Sequence, residues 1–170
     1  MKKEHINKGL KILFAYYLLW IIFVVIFKMS FSYSDLQFER EINLKPFYYE
    51  DPEHISLVIE EMLANIIVFI PLGVFINSIL YQKSFAKKFL IIFLIPVLIE
   101  IIQYILAIGI ADITDIINNS LGGLIGIGIY EGILKLSKNK SRLDKLILIV
   151  GSIMAILLSI LYVTLLIYNY

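Results

Sequence analysis

The residues best able to do chemistry in this chain are carboxylates and amides set inside otherwise apolar stretches. Glu100 and Gln103 share one face of a helix with Pro96, Tyr104 and Ala107, by spacings of three and four. Asp112, Asp115, Asn119, Gly122 and Gly126 fall within an arc of about 80° at 100° per residue. Asn65 shares a face with Glu61 and Leu72. Ionisable groups in lipid are costly and mark functional positions by default. A carboxyl such as Glu100 can hold a proton, pair with a cation or face water. The competing reading is a protonated acid bonded to Gln103 or Asn119 as interhelical glue. Asp112 and Asp115 also have a local explanation, because acids at a helix start cap it and oppose its dipole. Gly122 and Gly126 form a small-xxx-small pair suited to close packing. His54 stands among Glu50, Asp51 and Glu53 and reads as a solvated loop residue. No metal site and no cofactor is expected, and no phosphate-binding loop, dinucleotide fingerprint, HExxH or GxSxG occurs.

The elements that must position these residues are membrane spans. The 170 residues are 60% hydrophobic and 17% charged, against roughly a quarter charged in a soluble domain. The charges come in blocks, and between them lie runs near the roughly 20 residues that one spanning helix needs. Five such runs are read, at about 11–29, 55–81, 89–108, 113–136 and 145–168. The expectation is an all-α integral membrane bundle of about five transmembrane helices, a single domain over 1–170. The absence of cysteine excludes disulfides and thiolate chemistry, and a net charge of +1 gives no case for nucleic acid.

Basic residues set the orientation. Lys2, Lys3, Lys8 and Lys11 precede the first run. Lys83, Lys87 and Lys88 join the second to the third, and Lys135, Lys138, Lys140, Arg142 and Lys145 join the fourth to the fifth. Five spans place all three blocks in the cytoplasm, with the N-terminus inside and the C-terminus outside. The outer loop, about 30–54, is long enough to imply a role of its own. At 1.5 Å per residue, Glu100 lies roughly 16 Å up its run and Asn65 about 15 Å below the start of the second. Polar faces of three helices thus overlap in the outer half of the membrane, as a polar cavity open to the outside. The segment from Arg40 to Phe47, with Pro46 and Phe47 buried, is expected to fold down over it.

The motifs resemble those of the VanZ-like family of bacterial membrane proteins. Arg40-Glu41-Ile42-Asn43-Leu44-Lys45-Pro46-Phe47 is similar to its R-x-x-N-L-x-P-F segment. Asn65, Phe69, Pro71 and Gly73 fit N-x-x-x-F-x-P-x-G. Glu100 and Gln103 fit E-x-x-Q, and Asp112, Asp115, Asn119 and Gly122 fit D-x-x-D-x-x-x-N-x-x-G. The four pieces keep the family's order over about 40–126. Many members carry an arginine where this chain has Ile110, which leaves Arg40 as the lone arginine of the outer face. The resemblance implies a link to resistance against teicoplanin, a lipid-tailed glycopeptide, without an established mechanism.

Three functions compete. One is a non-enzymatic protein of the bacterial cell membrane whose partners are membrane lipids or a lipid-linked or lipid-tailed ligand. Its binding residues would be Arg40, Asn43, Asn65, Glu100, Gln103, Asp112, Asp115 and Asn119, with Pro71, Gly73, Gly122 and Gly126 for packing. A second is an intramembrane enzyme using Glu100, Asp112 and Asp115 as acid and base on a lipid head group; the lack of a nucleophile or histidine in the spans weighs against it. A third is a small proton-coupled carrier, against which no inverted repeat is evident. Oligomeric state is not read. The topology is testable directly: with single cysteines at Ser34, Ser84, Ser137 and Asn169, an impermeant thiol reagent should label positions 34 and 169 in intact cells. Labelling at 84 or 137 would sink the five-span arrangement.

Overall fold

The computed structural model describes residues 2–26, 39–47 and 55–169. Most of the long loop, His54 included, lies outside the described residues. The elements run α1 (Lys2–Ile21), continuing as a π-helical stretch (Ile22–Ile26), β1 (Glu39–Asn43), α2 (Ile55–Ile79), α3 (Phe85–Leu106), β2 (Ile108–Asp112), α4 (Ile113–Ser137) and α5 (Lys140–Asn169). The described residues are thus helical apart from one pair of short strands and the turns that join the elements, and hydropathy did not anticipate the strands.

Helix boundaries follow local chemistry. Ser84 caps α3, its hydroxyl accepting from the Lys87 N–H at 3.4 Å. Ala107 ends that helix in the left-handed region at φ 55°, its N–H reaching back to the Gln103 and Tyr104 carbonyls. Asn139 caps α5 by accepting from the Arg142 N–H at 3.0 Å. This cap, with the Lys140–Asp144 ion pair one turn later, starts α5 five residues before its apolar run. The first helix likewise begins at Lys2 instead of Lys11, because its polar first turns carry Leu10, 1% exposed, into the packing.

The fold divides into two compact units, one from the two ends of the chain and one from residues 37–131. In the first, α1 packs on α5. The Tyr16 hydroxyl lies 2.7 Å from the Ser159 hydroxyl and donates to the Ala155 carbonyl at 3.2 Å. Phe23 and Tyr162 meet edge to face at 5.0 Å.

In the second unit α4 lies against α2 with almost nothing between the backbones. A Cβ on Gly73 would fall 1.8 Å from the Gly123 carbonyl oxygen, and one on Gly126 would fall 2.0 Å from that of Ile70. Only glycine allows such an approach. Around the contact Phe69, Leu72 and Ile92 are fully buried. By contrast, one face of α3 presents Leu90, Leu94, Leu98, Ile101 and Ile105 at 43–63% exposure. A stripe of that size is a liability in water and ordinary against lipid.

Among the described residues four helices are long and apolar enough to cross a membrane, over Glu4–Val24, Ser56–Ile79, Phe85–Leu106 and Lys140–Tyr168. The fourth helix has 25 residues but falls short on composition, since amides, acids and glycines dilute its apolar run. The glycine contact yields a prediction. Gly73→Ala and Gly126→Ala should each destabilise the protein by about 1–3 kcal/mol or more, as overpacking does. Gly128→Ala, whose Cβ would meet nothing within 4 Å, should leave thermal unfolding in detergent unchanged or slightly improved. Equal behaviour of the three variants would contradict the packing.

Candidate functional site

The site is assembled by a parallel pairing of the two strands. Arg40 pairs with Gly109, and Asn43 with Asp112. The link from α3 to α4 is therefore itself a strand, entered through Ala107 and carrying Gly109 at φ 117°. Glycine adopts that backbone freely.

Asp112 is the junction. Its Oδ2 accepts from Asn43 Nδ2 at 2.9 Å, tying β1 down. Its Oδ1 accepts from the Thr114 N–H at 2.7 Å, which caps α4. Its own N–H donates to Glu100 Oε2 at 3.0 Å, binding the start of α4 to α3. Asn43 closes a local turn by accepting from the Lys45 N–H at 3.0 Å. Thr114, 2% exposed, accepts from the Phe47 N–H at 3.1 Å. The segment 40–47 is thus fastened at both ends. Phe47 itself is 51% exposed and Pro46 is exposed too, which corrects their expected burial: it is the backbone of this segment, not its ring, that is anchored.

Arg40 leaves the strand exposed. One guanidinium nitrogen donates to the Ile105 carbonyl at 3.2 Å, and the group lies 5.8 Å from the centre of the Tyr104 ring. The Ile105 carbonyl belongs to the last turn of α3, where acceptors lack intrahelical donors and a cation suits the dipole. The remaining N–H groups of the fork are available to a ligand.

The other expected residues fall into place around this junction. Glu100 and Gln103 are 4% and 6% exposed on the same face of α3. Because α3 starts at Phe85, Glu100 is about 23 Å along it, nearer its far end than the apolar run implied. Asn65 on α2 donates from Nδ2 to Asp115 Oδ1 at 2.8 Å. The Asp112 N–H thus joins the start of α4 to Glu100 on α3, and Asp115 is bonded to α2 through Asn65. Asn119 is fully buried, and neither of its side-chain polar atoms has a hydrogen-bond partner among the described residues. No group of three or more His, Cys, Asp or Glu side chains among the described residues could hold a metal ion.

A second polar cluster lies at the opposite end of the same unit. Lys88, counted from sequence as a charge in a cytoplasmic connection, is only 6% exposed. Its Nζ donates to Asn77 Oδ1 and, at 3.3 Å, to the Tyr81 carbonyl near the end of α2. Asn77 in turn donates to Glu131 Oε1 at 2.7 Å. The signal available in the sequence was Asn77, an amide inside an apolar run. Its partners could not be read, because both lie on other helices.

These bonds make a prediction about Glu100. Glu100→Gln keeps an oxygen for the Asp112 N–H and should fold with near-normal stability. Glu100→Leu strands that donor and should cost about 1–3 kcal/mol, read as a lower unfolding temperature in detergent. A leucine variant as stable as the glutamine variant would refute the role given to this bond.

Comparison with known proteins bears on what this arrangement is. Protein VanZ from Enterococcus faecium is 36% identical over 148 residues, which covers 86% of this chain and 88% of that protein. No solved structure matches. The VanZ/LLP1 family matches residues 14–135, a stretch that holds the strand pair, both polar clusters and the glycine contact. Taken with the apolar helices, the match makes this chain a membrane protein that belongs to the VanZ/LLP1 family.

Proposed function

We propose that the chain is a multi-pass protein of the bacterial cell membrane that binds an amphiphile of the cell envelope at the Arg40–Asp112 end of its second unit, and so lowers sensitivity to a glycopeptide of the teicoplanin type. The N-terminus lies inside, and this end faces outward. The observation that carries the reading is the setting of Arg40. Its guanidinium is held over Tyr104 and against the Ile105 carbonyl, with donors to spare, while Ile42, Ile105 and Ile110 expose apolar side chains at 56%, 63% and 43%. A cation beside exposed apolar surface suits a molecule with a polar head and a hydrocarbon tail. Asn43, Asn65, Glu100, Gln103, Asp112, Asp115 and Asn119 shape the polar floor. Similarity to Protein VanZ over most of both chains supports the resistance part.

The test is expression in a teicoplanin-sensitive Gram-positive host, with native mass spectrometry of the purified protein. The wild type should raise the inhibitory concentration and carry a co-purifying lipid. Arg40→Ala should weaken the effect about tenfold, the loss expected for one charge-assisted hydrogen bond, at unchanged abundance in the membrane. Combining Arg40→Ala with Glu100→Gln should be no worse than the stronger single change if the two act in one site. Lipid-free protein from every preparation would overturn the binding part, and an unchanged inhibitory concentration the resistance part.

A further inference from the structure

The orphaned amides of α4 lead to a site of a different kind. Asn118, Asn119 and Ser120 are 2%, 0% and 8% exposed. The Nδ2 of Asn118, both polar atoms of Asn119 and the hydroxyl of Ser120 have no hydrogen-bond partner among the described residues. Buried polar groups in native proteins are almost always partnered, by protein or by ordered water.

The position of Asn119 is fixed by its neighbours. α3 and α4 touch at the Glu100–Asp112 bond and again where a Cβ on Gly123 would lie 2.6 Å from Ile92 Cγ2. The two helices are thus antiparallel, and Asn119, one turn from Gly123, faces the level of Pro96. Proline lacks the N–H that would satisfy the Ile92 carbonyl. An acceptor released from the α3 ladder and an unpartnered amide on α4 therefore lie within about one turn of each other along the α3–α4 contact.

We propose that Asn119 holds ordered water in the core of this unit, and that this water marks the innermost hydrated level reached from the Glu100 end. The chemistry of the free atoms selects the guest. A cation would use the acceptors and leave the amide nitrogens unsatisfied, and an anion would do the reverse. Water both donates and accepts, so it can satisfy the amide nitrogens and oxygens together. Outward, Asn119 is one turn from the Asn65–Asp115 bond. Inward the core closes: a Cβ on Gly122 would fall 2.2 Å from the Ile66 carbonyl oxygen, and Phe69, Leu72 and Ile92 are 0% exposed. Backbones in such contact leave no volume for water. The hydrated level ends at Asn119, short of the Asn77–Lys88–Glu131 cluster. The inference stands whichever ligand the Arg40 end takes.

The full chain in phosphatidylcholine–phosphatidylglycerol bilayers, assigned by sequential backbone correlations, tests this by water-edited solid-state NMR. The Asn119 side-chain amide should receive polarisation from water as early as that of Asn65, and the backbone amides of Gly126 and Ile127 should lag. An Asn119 signal that lags with Ile127 overturns the site; Gly126 and Ile127 signals as early as Asn119 overturn the limit. Thermal unfolding of Asn119→Leu, a change of similar volume, gives an independent reading. Loss of a water-bridged amide should lower Tm by a few degrees. An unchanged or raised Tm means that the amide was unsatisfied, and overturns the proposal.

Discussion

Asp112 is the residue on which the rest of the second unit depends. With two carboxylate oxygens and one backbone N–H it engages Asn43, Thr114 and Glu100. Those three belong to β1, α4 and α3. One residue, through its two carboxylate oxygens and its backbone N–H, therefore ties a strand, the start of one helix and the last third of another together. The arrangement also gives one oxygen of the buried Glu100 carboxyl a partner. It accepts from a backbone donor at a helix start, where partial positive charge collects.

The same unit separates its polar groups from its packing. The amides and acids gather at one end and the Asn77–Lys88–Glu131 cluster at the other. Between them the glycines of α4 meet the backbone of α2, and large apolar side chains close around the contact. Apolar helices in lipid gain little from hiding from the solvent, so close packing and interhelical hydrogen bonds have to hold them together. Glycine contact supplies the first and the two clusters the second. Lys88 shows how far this goes. Its ammonium sits where the carbonyls ending α2 need a cation, 5.7 Å from the centre of the Tyr81 ring.

Much of this was legible in the sequence, and the rest was hidden for identifiable reasons. The runs at 55–81, 89–108 and 113–136 match α2, α3 and α4 to within four residues, because span length and apolar composition are tightly linked. The starts of α1 and α5 were missed because their first turns are charged and leave no hydropathy signal. The strand pair was missed because Glu39–Asn43 reads EREIN, with three charges in five residues, and its pairing depends on a partner far along the chain. Face and depth did single out Glu100, Asp115 and Asn119, but not the Asp112 N–H as a donor to Glu100 or Asn65 as a donor to Asp115, because both bonds depend on the turn at Asp112 and on the packing of α2.

The parallel strand pair also carries a consequence for biogenesis. Asn43 and Asp112 are 69 residues apart, and α2 and α3 both lie between them. β1 leaves the ribosome long before its partner exists, and parallel strands cannot close through a local turn. The pairing must wait until the intervening helices are in place, so the loop-closure entropy falls on a late step. Assembly of the Arg40–Asp112 end is then a report that α2 and α3 have packed correctly. A chain with a misplaced helix would hold all of the site's residues and never bring them together.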